Sequence, residues 1–258
     1  MPQERFHAAD NTKNNFMSVS QKTVLITGGT RGLGLATVSR LAAQGYQIVA
    51  TGRKVTPELE VLISAGGIHF EELDLASHEA IHETINRITS TYGYIYGLVN
   101  NAAVGYDGIL ATMHDSQISE LVSVNLTGTI LVTKYAVRSM LLRREGRIIN
   151  VSSIIATTGF NGLSVYAATK AALNGFTRSL AREVGKAGIT VNTVAPGYMQ
   201  TDMTVALQDE KLESIKRRSP LGRLATVRDC AAAISFLLGP DASSVTGTTI
   251  TVDAGSTA

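Results

Sequence analysis

The chain has 258 residues, of which 44% are hydrophobic and 17% charged, and its formal net charge is +2. A length of this order suits one α/β domain with a core large enough to hold without disulfides or metals. The near-neutral balance and the absence of a basic tail exclude nucleic acid as a partner; no eighteen-residue apolar run marks a membrane span; the single cysteine, Cys230, excludes an intrachain disulfide. Cys230 lies in an apolar helical pattern and reads as a buried, inert thiol.

Residues 1–20 are polar, with Asp10-Asn11-Thr12-Lys13-Asn14-Asn15 at their centre, and carry no apolar signal region. They read as a disordered extension, with Met17 an alternative start and the cytoplasm the default location. The folded domain is expected over residues 21–258. Its first element, Lys22 to Thr27, is a β-branched apolar run and reads as a buried strand. It leads directly into Gly28-Gly29-Thr30-Arg31-Gly32-Leu33-Gly34, then into a helical pattern through Leu35, Val38, Leu41 and Ala42 that Gly45 ends. A second strand follows over Tyr46 to Thr51. Glycines between a strand and a helix let the backbone approach a pyrophosphate, whose charge then sits at the helix N-terminus.

An NAD-preferring site would usually carry Asp or Glu at the end of the second strand, to bind the ribose 2′-hydroxyl. Gly52-Arg53-Lys54 stands there instead, with no carboxylate before Glu58, and Arg31 adds a cation inside the glycine turn. Two guanidinium groups suit a 2′-phosphate, so the expected cofactor is NADP(H).

Alternation continues with a strand over Ile68 to Leu73, a helix over Ala80 to Tyr92, a strand over Gly97 to Asn100 and a long helix from about Gln117 to Arg143. Then come a strand over Arg147 to Val151, a helix over Ser164 to Lys186, a strand over Ile189 to Val194, a helix over Val227 to Leu238 and a strand over Thr248 to Val252. This predicts a single-domain α/β Rossmann fold, doubly wound on a mainly parallel seven-stranded sheet. His78-Glu79-Ala80-Ile81-His82 matches the H-E-x-x-H pattern of zinc proteases. It opens a helix on the outer layer, and the sole downstream histidine, His114, sits in no ligand motif; the pattern reads as a solvated helix start.

Chemistry concentrates between Ser153 and Lys170. Tyr166 and Lys170 are four apart on a helix and share a face. An ammonium beside the phenol is expected to lower its pKa from near ~10, so that a proton can move at working pH. Ser153, just past a strand, would offer a hydroxyl to the oxygen that gains or loses that proton.

The elements Thr27-Gly28-x-x-x-Gly32-x-Gly34, Asp74-Leu75, Asn100-Asn101-Ala102, Asn125, Ser153, Tyr166-x-x-x-Lys170 and Pro196-Gly197-x-x-x-Thr201, in that order, resemble the short-chain dehydrogenase/reductase family over about residues 21–256. The nearest subgroup is the 3-oxoacyl-(acyl-carrier-protein) reductases. Gly146-Arg147-Ile148-Ile149-Asn150, Pro196-Gly197-Tyr198-Met199-Gln200-Thr201-Asp202-Met203 and Val252-Asp253-Ala254-Gly255 carry that similarity.

The resemblance implies Tyr166 as general acid, Lys170 as the group that tunes it and binds the nicotinamide ribose, and Ser153 as orienter of the carbonyl. It implies Asn125 as holder of a water that links Lys170 to solvent. For the cofactor it implies Gly28, Thr30, Arg31, Gly32, Leu33 and Gly34 of the glycine turn, together with Arg53. Asp74 would contact the adenine, with Leu75 beside it, and Asn100 the adenine ribose, with Asn101 and Ala102 adjoining. Pro196, Gly197 and Met199 would border the nicotinamide, and Thr201 would bond its carboxamide. Asn125 alternatively satisfies a helix irregularity, and Asp74 alternatively caps the next helix.

Two departures stand out: Ala103 and Ala254 each replace a common glycine. Residues 198–218 are expected to form a lid, with Met199, Met203, Val205, Leu207, Ile154, Ile155 and Phe160 lining an apolar pocket. Basic Arg143, Arg144 and Lys186 are candidates to meet an acidic carrier. A homotetramer is implied, pairing the helices that contain Leu121, Val132, Met140 and Leu173, Phe176, Leu180. The expected activity is NADPH-dependent reduction of a small-molecule or acyl-carrier-bound ketone, 3-oxoacyl thioesters first. Other ketones or alcohols (sugar, steroid, polyketide) and a non-catalytic NADP-binding regulator remain the alternatives.

Overall fold

Along β1 (Thr23–Thr27) side chains alternate between the two faces of a sheet. Val24 and Ile26 join one apolar cluster, Leu25 the other, and all three are fully buried. Such double burial requires helices on both faces, and the computed structural model, which describes residues 22–199 and 209–258, has them. The expected extension over residues 1–20 lies outside the described residues, as do Thr201, Met203, Val205 and Leu207 of the expected lid and pocket.

In chain order, α1 (Gly32–Ala42), β2 (Gln47–Gly52), α2 (Pro57–Ser64), β3 (Ile68–Glu72), α3 (His78–Tyr92) and β4 (Ile95–Asn100) form the first half. The second holds α4 (Asp115–Val122), α5 (Thr129–Arg143), β5 (Gly146–Val151), the short α6 (Ile155–Thr158), α7 (Ser164–Val184), β6 (Ile189–Pro196), α8 (Asp209–Arg218), α9 (Val227–Leu238) and β7 (Thr249–Val252). Seven strands pair in the order β3-β2-β1-β4-β5-β6-β7, each pair parallel. The strand order reverses between β1 and β4, and ligands of open parallel sheets bind at the carboxyl ends beside such a switch.

α1 and α9 pack together over one face, where Val38, Leu41, Ile234 and Leu237 cover Val24, Ile26 and Ile48. On the other face α3 and α5 bring Ile81, Ile85, Val132 and Met140 onto Leu25, Val49 and Ile148. Each such fully buried aliphatic side chain contributes about 1.5–3 kcal/mol.

The single helix expected over Gln117 to Arg143 is divided. Between α4 and α5 the chain widens into one π turn, Ser123–Gly128, a feature that concentrates at functional sites. α2 has no counterpart in the sequence reading, although its start is encoded: Thr56 accepts the Leu59 N–H and Pro57 opens the helix. The H-E-x-x-H histidines are structural. His78 Nε2 lies 3.1 Å from Ser123 Oγ, and His82 stacks on Tyr135 at 4.5 Å. Among the described residues no three side chains are grouped to hold a metal.

Of the two departures, Ala103 has a negative φ and fits without strain, whereas Ala254 is held left-handed at φ 58°. It lies in a knotted turn after β7. There the Asp253 carboxylate accepts the Gly255 and Thr257 N–H groups and the Ser256 and Thr257 hydroxyls. Leu221, past α8, donates to the Ala254 carbonyl, and Gly197 donates to Val252. Cys230 is buried beside Met199 Sδ at 3.4 Å, and burial pushes its thiol up to about 12, so it is inert.

Candidate active site

The carboxyl ends of β1, β4, β5 and β6 converge on one crevice. At its floor the turn after β1 passes so close to itself that a Cβ on Gly34 would overlap the Gly28 carbonyl oxygen and come within 2.7 Å of Asn101 Nδ2. Gly32 has φ 53° and opens onto free space, with no atom within 4 Å of a Cβ built there. α1 begins here, with Arg31 extended at its N-cap and making no side-chain capping bond. The first N–H groups of the helix therefore point outward without a side-chain acceptor, which suits an anion. Arg31 and Arg53 are both exposed, and neither has an ion-pair partner among the described residues. Arg53 also acts electrostatically on the Tyr106 hydroxyl, which donates to Glu120 at 2.6 Å. Thr30 and Leu33 hold the turn: the Thr30 carbonyl accepts from Thr56 Oγ1 at 2.8 Å, and Leu33 is in the core. Turn, helix end and cations together fit a dinucleotide carrying an extra phosphate.

Asn101 has a different task from the one expected. Its Nδ2 donates to the carbonyls of Thr27 (3.1 Å) and Gly28 (2.9 Å), so its amide fastens the glycine turn. Thr27, which the sequence reading passed over, completes the clasp: its hydroxyl accepts the N–H groups of Asn101 (3.0 Å) and Ala102 (3.1 Å). Asn100 is 3% exposed, and its Nδ2 donates to Thr133 Oγ1 and Asn150 Oδ1, both at 2.8 Å. That amide braces β4 to β5 and α5 from inside, which corrects the expectation that it reaches a ribose. The exposed Asp74 accepts the Ala76 N–H at 2.9 Å in a local turn and does not cap α3, whose N-cap is Ser77; Leu75 beside it is buried. The Pro196 carbonyl accepts the Ile154 N–H at 3.0 Å, and Gly197 and Met199 continue along the crevice. Thr201 lies outside the described residues.

The reactive side chains come from the end of β5 and the start of α7. Ser152 Oγ donates to the Lys170 carbonyl at 2.8 Å, seating the helix against the strand end. Ser153 Oγ accepts the Ile155 N–H at 3.2 Å, and its hydroxyl is close enough to the Tyr166 phenol to lower its pKa. Lys170 is 3% exposed; its Nζ donates to the Val151 carbonyl at 2.9 Å and lies 5.7 Å from the centre of the Tyr166 ring. The electrostatics correct one expectation. Burial pushes the Tyr166 phenol up to about 12, against the pull of the Ser153 hydroxyl, and burial brings Lys170 down to about 8. Desolvation is the largest cause at both groups, so the phenol is protonated in the neutral range and available as a donor.

Asn125 sits in the π turn. Its Oδ1 accepts the Val104 N–H at 2.8 Å and its Nδ2 donates to the Val104 carbonyl at 2.9 Å and to Thr169 Oγ1 at 3.4 Å. Thr169 in turn donates to the Tyr166 carbonyl at 2.8 Å. The side-chain amide thus positions α7 and the chain after β4. Tyr198, the first residue of the expected lid, lies beside Phe160, their ring centroids 5.7 Å apart.

A family model described as enoyl-(acyl carrier protein) reductase matches residues 28–257. The chain is 39% identical over 241 residues to a 3-oxoacyl-[acyl-carrier-protein] reductase, FabG, of Vibrio cholerae, covering 93% of this chain and 98% of that one. To the FabG of Escherichia coli K12 it is 37% identical with the same coverage. Among solved structures, ElxO with NADP bound superposes with a TM-score of 0.84 at 32% identity, covering 91% of this chain and 98% of that one.

Proposed function

Because the chain belongs to the short-chain dehydrogenase/reductase family, we propose that it is an NADPH-dependent ketone reductase that converts 3-oxoacyl thioesters to 3-hydroxyacyl thioesters. The observation that carries this reading is the grouping of Ser153, Tyr166 and the buried Lys170, whose Nζ lies 5.7 Å from the centre of the Tyr166 ring, at the carboxyl end of the sheet next to the glycine turn. Bound dihydronicotinamide would supply the hydride. Two hydroxyls aimed at one point suit a carbonyl oxygen: Ser153 orients it and stabilises its growing negative charge, and Tyr166 delivers the proton.

NADP(H) rather than NAD(H) is supported by Arg31 and Arg53, both exposed and without an ion-pair partner among the described residues. We assign the activity to one domain over residues 21–258, cytoplasmic, with residues 1–20 outside it. For an acidic acyl carrier, Arg143, Arg144 and Lys186 are poorly placed on their own chain, because they precede β5 and β6 and lie at the end of the sheet opposite Ser153. α8 is better placed: it ends in Lys216, Arg217 and Arg218, and Arg218 acts electrostatically on Tyr198. A homotetramer is supported by the groove between α5 and α7, lined by Ile130, Val137, Phe176 and Leu180. Leu121, Val132, Met140 and Leu173 are interior residues of the single chain and unavailable for that contact.

The test is oxidation of NADPH followed at 340 nm with a 3-oxoacyl thioester, a 2-enoyl thioester and unrelated ketones, beside Tyr166→Phe. Turnover is expected with the 3-oxoacyl thioester and not with the enoyl one. In the variant it falls about 10²–10⁴-fold with NADPH binding retained. Equal rates in the two proteins would remove Tyr166 from the reaction.

A further inference from the structure

The hydroxyl oxygen of Tyr198 is fully buried and has no hydrogen-bond partner among the described residues. A phenol carries both a donor and an acceptor, and a folded chain ordinarily satisfies them. The ring is fixed in place: its centroid lies 5.7 Å from that of Phe160, tilted by 60°. Its backbone is fixed as well, because it follows Pro196 and Gly197, whose carbonyl and N–H are bonded to Ile154 and Val252. Ile154 adjoins Ser153, so the end of β6 is tied beside the residue that orients the ketone. Tyr198 stands two residues beyond that tie, within electrostatic reach of Tyr166, Asp107 and Arg218. A donor is thus held rigidly, dry and idle, next to the reacting groups.

We propose that Tyr198 is a specificity-determining residue whose hydroxyl donates a hydrogen bond to the second carbonyl, the thioester oxygen, of a 1,3-dicarbonyl substrate whose ketone is held by Ser153 and Tyr166. This rests on the functional reading above and deepens it. The two oxygens of a 3-oxoacyl thioester are separated by three carbons, so hydroxyls from neighbouring strand ends can hold both. A monoketone gives Tyr198 nothing to bond and leaves a buried donor unpaired, the arrangement from which polar sites draw their discrimination.

The experiment is Tyr198→Phe, with kcat/KM for acetoacetyl-CoA and for a monoketone, the NADPH Kd and the Tm. Expected are a fall of about 10–100-fold for the thioester, no change for the monoketone or the NADPH Kd, and a Tm equal to or above that of the parent, since no internal bond is lost. A fall shared equally by both substrates, or an unchanged ratio between them, overturns this assignment alone. A Tm lowered by several degrees also overturns it, by revealing an internal partner for the hydroxyl. A parent enzyme that reduces the monoketone but no 3-oxoacyl thioester overturns the functional reading and this inference with it.

Discussion

Replacing Lys170 with Met tests how the site is held. The ammonium is 3% exposed, and burial brings its pKa from 10.5 to about 8. At 1.36 kcal/mol for each pH unit, that fall means about 3 kcal/mol of disfavoured charge in the folded chain at neutral pH. The sign follows from proton counts. Between pH about 8 and 10.5 the unfolded chain holds a proton on Lys170 that the folded chain has lost, so stability rises with pH through that window. Below about pH 8 both states are protonated, the slope vanishes and the full cost remains. Lys170→Met has no such window, and other titrating groups are common to both proteins and cancel. Urea unfolding of the cofactor-free proteins from pH 7 to 10.5 should show the parent gaining about 3 kcal/mol relative to the variant. Parallel curves would show that this amine carries its charge in the fold at no cost, and the account of a desolvated lysine beneath the phenol would be wrong.

Asn101→Ala removes both bonds that clasp the glycine turn; at about 1 kcal/mol each, the Tm should fall by about 5 °C. Fluorescence titration should show weaker NADPH binding, and an unchanged Kd would mean the turn keeps its shape unaided. Ala254→Gly relieves the left-handed φ of 58°. Set against glycine's greater freedom when unfolded, the expected gain is about 0.5–1 kcal/mol, read by urea unfolding, and a loss would refute the strain. Arg53→Asp should weaken NADPH binding about 10–100-fold while sparing NADH, since a charge-assisted bond becomes a repulsion; an unchanged ratio of the two Kd values would count against the 2′-phosphate reading.

The sheet was legible because each strand announces itself locally. Lys22–Thr27 and Arg147–Val151 are β-branched apolar runs, the helices between them have a regular apolar period, and glycines punctuate both. Val227–Leu238 could be bounded to the residue, since Thr226 and Asp229 form a capping box. The π turn at Ser123–Gly128 was not legible, because it inserts one residue into a helix whose period on either side is ordinary. The trio Ser153, Tyr166 and Lys170 was readable from its spacing only together with the family resemblance of the motifs around it. The tasks of Asn100, Asn101 and Asn125 were not, because their partners lie from 21 to 74 positions away, and an amide that braces the protein looks the same in sequence as one that meets a ligand. The state of Tyr166 escaped for a related reason: spacing places an ammonium nearby, but only the packed fold says how much water the phenol has lost.

The knot around Asp253 bears on how the crevice wall is held. Gly197 and Leu221, on either side of α8, are moored to Val252 and Ala254, so the crevice wall that carries Tyr198, already tied through Pro196 to Ile154, gains its second anchor only with β7. The two segments that flank α8 are thus held from the far end of the chain, and the last strand does its work at the reaction crevice as well as at the edge of the sheet.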